Sequence, residues 1–388
     1  MKKKLLIILF ILQIILCSCA KKEKIIKIEN YPIEHEIEFG GVYIQISIDD
    51  FNKLGFEYGD SVNVEFDNGT SLMDIPYYNG YYVDAGQSLL IAYPGYDYIK
   101  ATINYGQDIW DEFNLKLDNS EKISLWQNSK LEEHNKATIT LNEKGKYLDI
   151  QNASDIHYFD ERERYETDEI FANFRAVNMA NLKENIVYRS ASPCDNQHNR
   201  APYVDSLMKQ AGVKTILNLA DNYNKIEKYI AKEDFNSLYF LSLYEAGTVI
   251  PISLNMNYFS DDFKLKIIDG FKAMSENEGP YLIHCTEGKD RTGFVLMLIE
   301  ALAGANYEEI KDDYMLTYDN YYKINENSDP EKYNVILHRN LDAMIKTVIG
   351  DESVDFTNCD LSKYAQDYLL SNGMSEEELN KFKECILK

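Results

Sequence analysis

The sequence predicts an α/β protein, in which a domain with a central, mostly parallel sheet flanked by helices is preceded by a smaller β-rich domain. Three observations predict it. Residues 25–150 alternate apolar and polar side chains with period two between turn-forming residues. Residues 171–388 instead interleave short, largely apolar runs with helical patterns, the texture of strands buried between helices. The chain of 388 residues is 45% hydrophobic, enough for two domains with cores of their own.

In chain order, the first candidate strand is Val42–Ile48, followed by Ser61–Phe66, Tyr98–Asn104 and Ala137–Leu141. Turn signals punctuate them at Asp67-Asn68-Gly69, Asn79-Gly80, Pro94-Gly95 and Glu143-Lys144-Gly145. The rhythm from Gly59 to Gly86 resembles the small β-barrel domain of the SAM-hydroxide adenosyltransferase family. No polar constellation in residues 25–150 carries chemistry, so an accessory or binding role is expected there, with no partner assigned. Residues 151–170, with the charged run Asp160–Arg164, read as a linker. Beyond them, Lys214–Ala220, Ser237–Leu243 and Tyr281–Cys285 read as buried strands. Pro202–Ala211, Ser260–Ser275, Gly293–Leu302 and Tyr307–Met315 read as helices, the last opened by Glu308 and Glu309, which suit a helix N-terminus.

Residues 1–24 read as an export signal. Lys2–Lys4 form its charged start, and Leu5–Leu16 is an apolar run interrupted by Gln13, too short for the ~20 residues of a membrane span. Leu16-Cys17-Ser18-Cys19 resembles a bacterial lipoprotein box, which implies a lipid on Cys19, membrane tethering and a cell-surface location. The remaining cysteines, Cys194, Cys285, Cys359 and Cys385, are too few for a disulfide scaffold. A Cys359–Cys385 pair and a redox role for Cys194 beside Cys285 stay open. A formal charge of −24 argues against nucleic acid as a partner. It also repels phosphate, so any phosphate site must be locally electropositive.

Such a site is legible in His284-Cys285-Thr286-Glu287-Gly288-Lys289-Asp290-Arg291-Thr292-Gly293. A cysteine six residues before an arginine means little alone, but this loop leaves an apolar strand, contains Gly288 and enters a helix. Backbone N–H groups in such a loop wrap a tetrahedral anion, and the positive end of the following helix points at the same place. The same field favours the thiolate, the form in which a cysteine is a nucleophile. Arg291 offers a planar fork to two phosphate oxygens. Cys285 and Arg291 are therefore the expected catalytic pair. Thr286, Glu287, Gly288, Lys289, Thr292 and Gly293 are the expected substrate-binding residues. Neither a metal nor a cofactor is required.

The segment resembles the signature loop of the protein-tyrosine and dual-specificity phosphatase superfamily, His-Cys-x5-Arg-Ser/Thr. Its Gly-Lys-Asp-Arg-Thr form resembles the bacterial tyrosine phosphatases that also accept phosphoinositides. Asn173-Phe174-Arg175, Val187-Tyr188-Arg189-Ser190 and Asp312–Thr317 match further pieces of that family, so the likeness covers about residues 170–325. It implies hydrolysis of phosphomonoesters through a cysteinyl-phosphate, with phosphotyrosine protein as the expected substrate. Phosphoinositides or inositol polyphosphates such as phytate are the alternative, and a silent phosphate-binding module is the third reading. Related loops with Lys-Asp-Arg imply Asp290 as the acid that protonates the leaving oxygen. Glu245 and Asp221 are the other candidates. Thr292 is expected to donate to the Cys285 thiolate, and His284 to orient the loop. The chain departs from the family at Arg175–Met179, where Arg-Asp-Leu-Gly-Gly is usual, and at Asn218-Leu219-Ala220 in place of Asp-Leu-Arg. The donor-rich Asp195–Arg200 stretch reads either as pocket lining or as a solvated loop.

Overall fold

The computed structural model describes residues 25–388 apart from 37–39, 85, 94, 105, 116–134 and 157–158. The export signal and Cys19 lie outside the described residues. Two compact units divide between Gln151 and Asn152.

The first unit is a closed barrel in the order β1-β2-β6-β5-β4-β3-β7. The expected runs appear as β2 (Val42–Ser47), β3 (Ser61–Phe66), β6 (Tyr98–Ile103) and β7 (Lys136–Glu143). Their alternate residues, among them Val42, Ile44, Val62, Val64, Ile99 and Ile139, are fully buried inside. Three strands escape a period-two reading: β1 (Lys27–His35), β4 (Ser71–Tyr78) and β5 (Ser88–Ile91). In β1 the register slips between Ile28 and Tyr31, where Asn30 has φ 57°. In β4 the pairing with β3 slips around Asp74, with φ 55°. Each bulge inserts a residue and inverts the alternation beyond it.

In the second unit, β8 (Arg175–Ala176), β9 (Val187–Ser190), β10 (Thr215–Asn218), β11 (Val249–Pro251) and β12 (Tyr281–His284) form one sheet ordered β11-β10-β12-β9-β8. Strands β9 to β12 pair in parallel, and β8 runs antiparallel to β9. Neighbouring residues face opposite sides. Leu217 and Ile283 join the core around Phe271, Phe294 and Leu298, while Ile216 and Leu282 join the core around Val204, Met208 and Phe240. The Asp290–Leu302 helix is buried from Thr292 to its end, which explains its lack of a polar face.

The run Ser237–Leu243 is not a strand. It belongs to a helix, Leu238–Glu245, and the edge strand is the three-residue β11 that follows. Its N-terminal N–H groups are capped from another element: Asp205 accepts from Tyr239 N (3.2 Å) and Phe240 N (2.7 Å). Ser237 stands at the N-cap position but makes no capping bond, so the start of the helix rests on a distant carboxylate. Residues 159–172 are likewise more than a linker. Asp160 pairs with Arg200 (3.1 Å), Arg164 stacks on Phe159 (3.8 Å), and Tyr165 and Phe171 pack against each other. Cys359 and Cys385 are both free thiols, so the disulfide left open between them is not made.

Candidate active site

Strand β12 ends at His284, residues 285–289 turn, and the helix begins at Asp290. Four successive carbonyls of this turn are held from outside it. The Cys285 carbonyl accepts from His284 Nδ1 (2.9 Å), that of Thr286 from Ser192 N (3.0 Å), and that of Glu287 from Tyr321 Oη (2.8 Å). The Gly288 carbonyl accepts from Arg189 Nη2 (2.7 Å) and Asn173 Nδ2 (3.2 Å). Among the described residues the one cis peptide is Gly279-Pro280, so these peptides are trans, and each N–H points away from the preceding carbonyl. With the carbonyls turned out, the N–H groups of Thr286, Glu287, Gly288 and Lys289 turn in. That is the cradle an oxyanion needs, and it lies at the C-terminal edge of the parallel strands.

Gly288 is required by this path. Its φ is +69°, and a Cβ there would lie 2.1 Å from the Ser190 carbonyl oxygen. His284 is fully buried, and burial pushes its imidazole down to about 4, so it is neutral and Nδ1–H is the donor to the Cys285 carbonyl. Cys285 is 4% exposed.

The side chains on the loop pair with one another. Arg291 donates to the Leu254 carbonyl (3.1 Å) and the Thr286 hydroxyl (3.2 Å). The Lys289 ammonium lies 3.2 Å from Glu287 and 3.8 Å from Asp290, and about equally near the Tyr318 and Tyr322 rings. Burial opposes its charge, and the two carboxylates overcome this and hold it well above the ordinary lysine range. Asp290 also receives a long contact from Tyr314 Oη (3.5 Å). The buried Thr292 hydroxyl has no hydrogen-bond partner among the described residues. Gly293 lies against Tyr314, where a Cβ would meet the ring at 2.4 Å, so its smallness serves packing of the loop's helix.

The other carboxylates fall elsewhere. Glu245 ends the helix that precedes β11, whereas Cys285 follows β12; the strands are parallel, so the two occupy opposite edges of the sheet. Asp221 sits at the correct edge, after β10, but is buried and tied to Lys225 (2.9 Å) and Asn218 Nδ2 (3.1 Å). The segment that reaches Arg291 is 252–260 after β11, and it contains no Asp or Glu. Cys194 is buried beside Ser192 and Asp221; burial, with the Asp221 charge, pushes its thiol far up, which leaves it protonated and unreactive. The Asp195–Arg200 stretch divides: Asn196 and Gln197 line a polar cavity of about 80 Å³ with Cys194, Tyr229 and Lys232, while His198 and Arg200 turn to Asp160.

The residues that sequence reasoning left without a role are those behind the loop: Asn173, Arg175, Arg189, Asp313 and Tyr321. The segments of the first four were legible only as family-like pieces flanking the loop, and Tyr321 lies beyond the last of those pieces.

A family model described as the tyrosine phosphatase family matches residues 171–388. No curated protein matches. Among solved structures, similarity is found to P. aeruginosa TpbA in complex with pTyr, at 17% identity over 44% of this chain and 92% of that one, with a TM-score of 0.25. The core catalytic domain of the S. cerevisiae PP-IP phosphatase SIW14, in complex with citrate, is similar at 18% identity over 42% of this chain and 86% of that one, with a TM-score of 0.25.

Proposed function

The chain belongs to the tyrosine phosphatase family and is a cysteine-dependent phosphatase, and from that premise we propose that it hydrolyses protein phosphotyrosine through a phosphocysteine on Cys285. The observation that carries this reading is the run of outward-held carbonyls, which leaves four N–H groups for the phosphate oxygens directly beside the Cys285 thiol.

In the proposed reaction the Cys285 thiolate attacks phosphorus, and the bond to the tyrosyl oxygen breaks as that oxygen takes a proton from Asp290. A water then attacks the phosphocysteine, returns a proton to Asp290, and releases inorganic phosphate and the thiolate. Arg291 moves its fork from the Leu254 carbonyl and Thr286 hydroxyl to the equatorial oxygens. The otherwise unpartnered Thr292 hydroxyl donates to the departing sulfur. Asp290 is favoured as the acid because it adjoins Arg291, the 252–260 segment offers no carboxylate, and Glu245 and Asp221 are misplaced or engaged. Asp290→Asn is expected to slow phenyl phosphate by roughly 10²- to 10³-fold and 4-nitrophenyl phosphate far less, because only a poor leaving group needs the proton. Equal rates for variant and parent on both esters would remove Asp290 from this role.

Phosphotyrosine is favoured over inositol polyphosphates by the charge of the loop. The Lys289 ammonium, the loop's one cation besides Arg291, already lies 3.2 Å from the Glu287 carboxylate, so it is engaged within the loop rather than held out to a second phosphate. The test is turnover of a phosphotyrosine peptide, a phosphoinositide and phytate by the purified protein. The peptide is expected to have the highest kcat/KM; a higher value for either inositol compound would overturn the substrate assignment.

A further inference from the structure

The mechanism leaves unused a buried cluster behind the loop. Arg175 and Arg189 share the carboxylate of Asp313: Arg175 Nε donates to Oδ1 (2.9 Å), and Arg189 Nη1 to Oδ2. Arg175 also donates to the Asp313 carbonyl (2.7 Å) and, through Nη1, to Asn173 Oδ1 (2.6 Å). Arg189 is fully buried, and its second terminal nitrogen reaches the Gly288 carbonyl. Asn173, held in a left-handed conformation (φ 50°), delivers the second donor to the same oxygen. Two branches of one cluster therefore converge on a single loop carbonyl.

We propose that Arg189 is a positioning residue for the phosphate loop: bridging Asp313 and the Gly288 carbonyl, it fixes that peptide with its N–H side toward the bound anion. The inference rests on the reading of this loop as the phosphate site.

Arg189 suits this role because its planar fork serves two acceptors at once, which a lysine ammonium does with neither the reach nor the angle. The peptide it holds is a vulnerable one, since Gly288 is the loop residue with positive φ and is free to rotate if its carbonyl is released. Burial opposes ionisation of Asp313, yet the two guanidiniums keep it well below the usual carboxylate range, so the carboxylate that anchors Arg189 is charged.

The test measures inorganic phosphate binding by calorimetry in the full chain carrying Cys285→Ser, alone and combined with Arg189→Lys, well below the melting temperature of each. Arg189→Lys is expected to weaken phosphate binding about 10-fold or more and, in the otherwise native chain, to lower kcat for 4-nitrophenyl phosphate roughly 100-fold, the scale of a small misplacement in a site. Asp313→Asn, which keeps the volume but not the anchor, is expected to act in the same direction and decides alone if Arg189→Lys does not fold. Phosphate affinity within twofold of the parent overturns the proposal. Arg175→Lys, which leaves the bond from Arg189 to the Gly288 carbonyl in place and loosens only the Asn173 branch, is expected to lose less than Arg189→Lys, and a larger loss overturns the proposal. Weakened phosphate binding in a protein whose native form turns over no phosphate ester would uphold the positioning role and refute the catalytic reading.

Discussion

Replacing Cys285 with serine is expected to lower phosphate-ester turnover by roughly 10⁴- to 10⁶-fold, the scale on which loss of an enzymatic nucleophile acts, while inorganic phosphate still binds. The two outcomes separate because the structure assigns them to different atoms. Turnover needs a thiolate, and a serine hydroxyl at the same place stays protonated and is a far weaker nucleophile. Binding needs the inward N–H groups, and the partners that hold their peptides, His284, Ser192, Tyr321, Arg189 and Asn173, bond backbone oxygens, none of them the Cys285 sulfur. Serine is smaller than cysteine by one row of the periodic table, so the buried position accepts it without strain. Steady-state turnover of 4-nitrophenyl phosphate together with calorimetric phosphate binding checks both halves. Retained turnover would exclude the phosphocysteine; lost binding would mean that the sulfur itself shapes the loop.

The contrast between what was and was not legible in the sequence follows the range of the interactions. Cys285, Gly288 and Arg291 could be read because a strand, a tight turn and a helix lie consecutively in ten residues, and the chemistry is local. The donors that turn the carbonyls out could not. Arg189 is 99 residues before Gly288, and Tyr321 is 34 after Glu287. Nothing in Val187–Ser190 or in the Tyr307–Tyr322 helix announces a hydrogen bond to a loop elsewhere in the chain. The same reason accounts for the misread strand at Ser237–Leu243, whose helical start is supplied by Asp205, 35 residues away from Phe240. Read as a strand, that run made Glu245 a second candidate acid after Asp290. Once β11 is placed at Val249–Pro251, the segment facing Arg291 becomes 252–260, which has no carboxylate, and Asp290 gains support. In the barrel, strands with regular alternation were legible, and those broken by the irregularities at Asn30 and Asp74 were not.

Gly288→Ala is expected to impair both binding and turnover, the opposite separation from Cys285→Ser. Two effects combine. A non-glycine residue at φ +69° carries about 1–2 kcal/mol of local strain, which alone a folded protein tolerates. The second effect is steric and has no easy relief. The added Cβ would lie 2.1 Å from the Ser190 oxygen, 2.5 Å from the Ser190 carbonyl carbon and 3.0 Å from Ala191 N, all backbone atoms at the end of the interior strand β9. Because β9 is paired to β12 on one side and β8 on the other, it cannot retreat without disturbing the sheet, so the loop must move instead. Any such movement draws the Gly288 carbonyl away from Arg189 and Asn173 and releases the peptides on either side of it. A displacement of about 1 Å at reacting groups lowers rates by about 10²-fold, and the loss here is expected to reach at least that, with phosphate affinity falling in parallel. At Gly293 the corresponding Cβ meets the Tyr314 ring rather than backbone, and a ring can tilt, so alanine there is expected to do less harm. Calorimetry and turnover on the two glycine variants check the difference. A Gly288→Ala protein that binds phosphate as tightly as its parent would show that the loop keeps its shape without glycine, and the outward-carbonyl account of the cradle would have to be given up.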